Sequence, residues 1–191
     1  LSDIKFLKGN IENMPDEGSI APESYDFANG ATRKLLVERM QKRQESILED
    51  AWNARQPNLP ITKKDEALIL ASIIEKETSV EIERSKVSSV FINRLLRDIA
   101  LQTDASVLYG ITKGKKVLGR GLRRSELKKD TPWNTYVHKG LPPSPIGNPG
   151  KASIFAALNP DRTNYLYFVA DGSGGHAFAE NLRDHNINVA K

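Results

Sequence analysis

Two glutamates, Glu75 and Glu77, stand near the end of a largely apolar run, DEALILASIIEKET over residues 65–78. Full burial of a carboxyl is rare unless the group is paired or functional. On a helix, residues two apart point about 200° away from each other, so the two acids cannot serve one site together. Glu77 has Ile73 and Ile74 one turn behind it and Leu70 two turns behind, whereas Glu75 has Ala71 and Ser72 behind and Thr78 and Ser79 ahead. Apolar surroundings disfavour the charged form and raise a carboxyl pKa. A raised pKa is what a general acid needs near neutral pH. A second reading stands beside this one. Glu77 can equally lie solvated at the fraying end of the helix, or pair with Arg84 or Arg94, and periodicity alone leaves both open.

The other chemistry-bearing residues are less pointed. Asp104, in Leu101-Gln102-Thr103-Asp104, follows a helical segment and suits capping of the next element. His138, His176 and His185 have no zinc-ligand spacing. The chain has no cysteine, which excludes disulfides, thiolate metal sites and thiol nucleophiles. No serine stands in a nucleophile-elbow pattern, and no glycine motif is built to cradle phosphate. Trp133, Tyr136 and His138 form a candidate platform. Aromatic faces beside amide donors suit sugar rings; stacking on nucleobases and plain anchoring of the loop are the competing uses.

These residues need elements to position them. The first thirty residues read as loop, punctuated by Asp16, Glu17, Gly18, Pro22, Asn29 and Gly30, with Tyr25 and Phe27 as anchors. From Ala31 to about Arg55, Leu35, Leu36, Met40 and Ile47 follow a helical repeat. The stretch Gln56-Pro57-Asn58-Leu59-Pro60 ends that helix. A second helix is predicted after Thr62, with Asp65 and Glu66 in its first turn, where they suit the dipole. It is apolar on most sides, which predicts a central, largely buried helix. A capping box of Thr78 and Glu81 predicts a third helix running to about Asp98, with Val87, Val90, Phe91 and Leu95 as its inner stripe. Beyond Leu101, short segments alternate with turns at Tyr109-Gly110, Lys113-Gly114 and Gly119-Arg120-Gly121, and Ser125-Glu126-Leu127 opens a short helix. The loop TPWNTYVHKGLPPSPIGNPG, residues 131–150, is long for a structureless connection, and its aromatics argue that it is ordered. Lys151 to Leu158 reads as a short helix. Residues 165–170 read as a strand, Asp171 to Gly175 as a tight turn, and His176-Ala177-Phe178 as the returning strand. The expected fold is α+β: a helical N-terminal half with a central buried helix, followed by short strands and long ordered loops.

A length of 191 residues fits one domain of ordinary size. An apolar fraction of 39% with 27% charged residues describes a folded globular chain, not a disordered one. The longest uninterrupted apolar stretch, Ala67 to Ala71, falls far short of the roughly 20 residues of a spanning helix. The net charge is only +4. The densest basic run, Lys113 to Lys116 with Arg120, Arg123, Arg124, Lys128 and Lys129, reads either as a solvated face or as a patch for phosphates or another acidic polymer. The chain begins at Leu1, which reads as a processed or excised piece whose signal peptide or anchor could have been removed.

Several blocks, in order, resemble one family: EGSIAPESYDF, ASIIEKET, ERSKVSSVFINRL, LQTDASVLYG, NTYVHKGLPPSPIGNPG and YLYFVADGSGGHAF, followed by His185-Asn186. Together they look like the signature blocks of the endolytic murein transglycosylases, the YceG-like family, across residues 1–191 as one catalytic domain. What is absent is that family's N-terminal membrane anchor and small LysM-like subdomain. The resemblance implies lytic cleavage of the β-1,4 bond between N-acetylmuramic acid and N-acetylglucosamine inside peptidoglycan strands. It makes Glu77, the second glutamate of EKE, the catalytic acid and base, with Glu75 as the fallback. It further implies roles near the substrate for Gln102, Asp104, Asn134, Tyr136 and His176, and no metal or cofactor. The Leu141 to Gly150 stretch would shape a rigid wall. The expected setting is a bacterial inner membrane, with the catalytic domain on the periplasmic or wall side. Partners would be glycan strands, penicillin-binding proteins and other wall-synthesis proteins, and no nucleic acid. A non-catalytic glycan-binding scaffold is the alternative, and a nucleic-acid binder built on the basic run is a weaker third.

Overall fold

The computed structural model describes residues 4–191. Its elements are α1 (Arg33–Asn53), α2 (Lys64–Glu77), a 3₁₀ turn (Glu81–Glu83), α3 (Arg84–Leu96), α4 (Asp104–Thr112), α5 (Arg124–Leu127), α6 (Lys151–Leu158), β1 (Tyr167–Ala170), β2 (His176–Ala179) and α7 (Leu182–Val189). This is the expected mixed α+β fold, helices first and a small antiparallel hairpin late. None of the helices among the described residues is long and apolar enough to cross a membrane.

Helix α2 is the axle of the molecule. Its N-terminus is closed by the Glu66 carboxylate, which accepts from Thr62 N at 2.7 Å and Lys63 N at 3.1 Å. Ala67, Leu70, Ala71, Ile73 and Ile74 are fully buried, and α6, α3, α4 and α1 all pack on it. Each large side chain so buried contributes about 1.5–3 kcal/mol. The helix stops at Glu77 because Thr78 turns to extended backbone (φ −142°, ψ 135°).

The third helix differs from its sequence reading. Thr78 is not its cap. The Thr78 hydroxyl accepts from Val80 N at 3.0 Å, a local turn that competes with helix initiation. The chain then makes the 3₁₀ turn before α3 begins at Arg84. The inner stripe is as expected, with Val87, Val90 and Phe91 buried. The Phe91 ring meets Phe168 edge-on at 5.9 Å, fastening the hairpin to α3. In the hairpin Phe168 pairs with Phe178 and Ala170 with His176, and the Asp171 carboxylate closes the turn by accepting from Ser173 N at 2.8 Å.

Two helices were not read from the sequence. Helix α4 occupies Asp104–Thr112, where Gly110 looked like a turn. That glycine serves packing: a Cβ there would lie 2.6 Å from Thr131 Oγ1. Helix α7 is polar throughout much of its length and is started by Asn181, whose side chain accepts from Asp184 N at 3.0 Å.

The long loop is ordered, and its bonds show why. Ile146 N donates to Ser72 Oγ on α2 at 3.0 Å, and Ile20 N donates to Asn148 Oδ1 at 3.2 Å. Buried Gln44 of α1 donates to Gly18 O at 2.9 Å and Pro149 O at 3.0 Å, stapling the N-terminal loop to the proline-rich loop. Replacing Gln44 by Met keeps the volume and strands both carbonyls. Urea denaturation should show a loss of about 1–3 kcal/mol; an unchanged midpoint would mean the staple is redundant.

Candidate active site

The end of α2 delivers Glu77 to a cavity of about 380 Å³. Phe91 and Arg94 reach it from α3, Leu101 to Thr103 from the α3–α4 connector, Asp104 from the start of α4, and Tyr136 from the long loop. The hairpin and α7 close it with Tyr167, Phe168, Leu182 and His185.

Glu77 is half-buried. The Thr103 hydroxyl donates to its Oε1, and Oε2 has no hydrogen-bond partner among the described residues. Burial pushes the Glu77 carboxyl above the usual carboxylate range. The Thr103 hydrogen bond pulls the other way, the Asp104 charge adds to the rise, and the His176 charge opposes it. Solvation at a frayed helix end, and pairing with Arg84 or Arg94, are therefore not what the structure has. Arg84 lies 3.7 Å from Glu75 instead.

Asp104 is the first residue of α4 and Thr103 holds the cap position, so Asp104 does not act as the cap. Its Oδ1 accepts from the Tyr136 hydroxyl at 2.7 Å. Burial, followed by that bond, pushes the Tyr136 phenol well above its ordinary value. Tyr136 is accordingly a donor here. Gln102 sits in left-handed backbone at φ 52°, exposed, with its N donating to Thr135 O at 3.1 Å.

A closed circuit of buried hydroxyls holds this connector. Thr103 N donates to Thr135 Oγ1 at 3.0 Å, and Ser106 Oγ donates to Thr103 O at 2.8 Å. Ser106 Oγ and Thr135 Oγ1 are 2.8 Å apart, so the Thr135 hydroxyl supplies the remaining proton. The circuit fixes Thr103, and Thr103 fixes Glu77.

Other expected residues lie elsewhere. Asn134 is 1% exposed. Its amide donates to Leu127 O at 3.0 Å and Lys129 O at 2.8 Å, and its Oδ1 accepts from Tyr136 N at 2.9 Å. It braces the loop that carries Tyr136 and does not line the cavity. His176 does not line it either. Its Nδ1 lies 2.7 Å from Glu83 Oε2 and its N donates to Glu83 Oε1 at 3.0 Å, tying β2 to the 3₁₀ turn. That pairing holds Glu83 below the usual carboxylate range although burial opposes it. The aromatic platform is not assembled. Trp133 packs on Tyr109, with Lys113 Nζ over its ring, and its Nε1 donates to Ser144 Oγ at 3.0 Å; His138 pairs with Asp130. The proline-rich stretch from Leu141 to Gly150 is no wall of the cavity, because its bonds run to α1, α2 and the N-terminal loop.

Glu75, the fallback acid, is a clamp. Its Oε2 accepts from Gly150 N at 3.0 Å and Ser153 Oγ at 2.6 Å, at the start of α6. The basic run is partly consumed internally, since Arg120 pairs with Glu126 and Lys113 turns onto Trp133. Sequence reasoning missed Tyr167, Leu182 and His185 as lining residues and weighed Arg94 only as a partner of Glu77. The Asn181-x-x-Asp184 capping pattern was the available signal for α7.

A family model described as the YceG-like family matches residues 3–191. The chain is 39% identical over 179 residues to the endolytic murein transglycosylase of Bacillus subtilis (strain 168), covering 93% of this chain and 48% of that protein. It is 32% identical over 182 residues to the endolytic murein transglycosylase of Streptococcus pneumoniae serotype 2, covering 92% of this chain and 32% of the relative. The crystal structure of a putative YceG-like protein from Listeria monocytogenes superposes with a TM-score of 0.74 at 33% identity, over 89% of this chain and 53% of that one. The chain thus spans half or less of the length of the curated relatives it matches.

The Glu77 carboxyl should titrate above the free side-chain value of about 4.3. Asp104→Asn removes a repelling charge and should lower that titration point. Carbon-13 NMR of labelled glutamate follows both; a Glu77 titrating at the free value would show that water reaches it freely.

Proposed function

The chain belongs to the YceG-like family, and from that membership we propose that it is the catalytic part of an endolytic murein transglycosylase. Its substrate is the glycan strand of peptidoglycan, cut internally at the β-1,4 bond between N-acetylmuramic acid and N-acetylglucosamine. The observation that carries the reading is one carboxyl, Glu77, raised in pKa within a cavity, with one oxygen held and the other free.

The chemistry is an internal transfer. Glu77 Oε2 carries the proton and gives it to the glycosidic oxygen as the bond to the anomeric carbon breaks. The resulting carboxylate, with Oε1 still accepting from Thr103, takes the proton of the muramic 6-hydroxyl. That oxygen closes on the anomeric carbon. The products are a 1,6-anhydro end and a free 4-hydroxyl; no water is consumed, and Glu77 regains its proton. One acid performs both transfers, whereas hydrolytic glycosidases ordinarily use two carboxylates. The raised pKa keeps the acid protonated to higher pH, and the Thr103 bond supports the carboxylate once formed. Asp104, held by Tyr136, supplies negative potential beside the oxocarbenium-like carbon of the transition state.

The same reading sets the protein at the wall-facing side of a bacterial membrane, with glycan strands as substrate and penicillin-binding and other wall-synthesis proteins as partners. A glycan-binding scaffold would bind strands and leave no anhydro ends.

Glu77→Gln keeps size and removes the acid. It should cut turnover of un-crosslinked strands by about 10²- to 10⁴-fold, the span of a general acid–base contribution, with the circular-dichroism spectrum unchanged. Mass spectrometry of the wild-type products should find 1,6-anhydro termini, and reducing ends formed by water would contradict the mechanism. Glu75→Ala, by contrast, should lower thermal stability by releasing Gly150 and Ser153. Wild-type turnover by Glu77→Gln would end the assignment.

A further inference from the structure

Arg94 is 7% exposed and pairs with no carboxylate among the described residues. Burying a guanidinium carries a large desolvation penalty, ordinarily offset by a counter-charge. Here neutral acceptors surround it. Nε donates to Leu166 O at 2.7 Å, and Nη1 donates to Ala100 O at 3.1 Å, Leu101 O at 3.0 Å and Gln102 Oε1 at 3.3 Å. These bonds lock the plane of the group and use two of its three nitrogens. Nη2 makes no hydrogen bond among the described residues, and it is not among the atoms sealed from solvent. The residue lines the Glu77 cavity, and its guanidinium carbon lies 5.1 Å from the centre of the ring of Tyr167, another lining residue.

Gln102 completes the arrangement. Because Oε1 is committed to Arg94, its amide NH₂ is left without a partner on an exposed residue of the same cavity. Two sets of unused N–H donors thus belong to adjoining side chains. Phe91, Leu101, Phe168 and Leu182 provide apolar surface in that cavity. An anion is a poor occupant. The fork that would take a carboxylate bidentately is already used, and Asp104 would repel a negative group. A neutral acceptor with an apolar appendage matches both features.

We propose that Arg94 Nη2 and the Gln102 amide form a two-donor site for the carbonyl oxygen of an N-acetyl group on the glycan, its methyl resting on the apolar surface. The proposal rests on the murein reading and makes these two residues its specificity determinants.

The test measures binding in a Glu77→Gln background, whose turnover is too slow to consume the strands during the measurement. The probes are peptide-free glycan strands and the same strands after de-N-acetylation, so the stem's own carbonyls are absent from both. The parent should prefer acetylated strands roughly 10- to 100-fold, as loss of a charge-assisted partner implies. Arg94→Lys keeps the charge without the fork, and Gln102→Ala changes an exposed neutral side chain that cannot repel an amino sugar; in each the preference should collapse towards one. If Arg94→Lys fails to fold, Gln102→Ala decides alone. Equal weakening on both strands with the preference intact would make the residues merely structural and overturn the proposal, as would a parent without preference or without binding. Cleavage by the unmutated chain is scored separately. Acetyl-dependent binding without cleavage would defeat the lytic reading and leave this site standing; cleavage with acetyl-blind binding would do the reverse.

Discussion

Scarce water raises the pKa of a carboxylic acid, and the acid can act on a substrate only where the substrate can reach it. Glu77 meets both conditions because it is the last residue of α2. The helix is buried around most of its circumference, so its end projects from the core into a cavity. One residue further on, Thr78 leaves the helical region and the chain turns away.

Burial and a single hydrogen bond act on Glu77 with opposite sign, and the balance depends on Thr103. That residue is positioned by loop geometry. Gln102 takes a left-handed backbone, costly for a non-glycine residue, and Thr135 holds the connector through both its carbonyl and its hydroxyl. The long loop therefore acts as a brace: Thr135 holds the acid's partner, Asn134 shapes the turn, and Tyr136 alone reaches the cavity. Its proline-rich half is fastened to α1 and α2 and gives the brace a fixed base.

What was legible in the sequence follows the strength of the periodic signal. Helix α2 was readable from Asp65 to Glu77 because tertiary burial and local pattern agree there, and Lys151 to Leu158 for the same reason. Thr78 misled, because its hydroxyl can serve a local turn as readily as a helix N-terminus. Helix α4 was missed because Gly110 reads as a turn residue when its close packing partner, Thr131, cannot be seen. Helix α7 was missed because it buries little. In the site, Glu77, Gln102, Asp104 and Tyr136 come together, whereas Asn134 and His176 serve the backbone and Glu83. Arg94 was legible only as a charge in a helix. That its partners are carbonyls from two other segments is a tertiary fact with no local signature.

The two glutamates of EKE show how one helix separates two uses of the same group. Two positions apart, they leave α2 in directions about 200° apart, and each meets different partners. Glu75 meets positive ones: the N-terminus of α6, where negative charge is favoured, and the Arg84 guanidinium. Glu77 meets apolar side chains and a neighbouring carboxylate, which favour the neutral acid against the pull of the Thr103 hydroxyl. Exchanging their environments would leave α6 without its anchor and the cavity without a carboxyl of raised pKa. The spacing also explains why Glu75 does not reach the cavity: it is tied to the start of α6, and getting there would require rotating a helix packed on nearly every side.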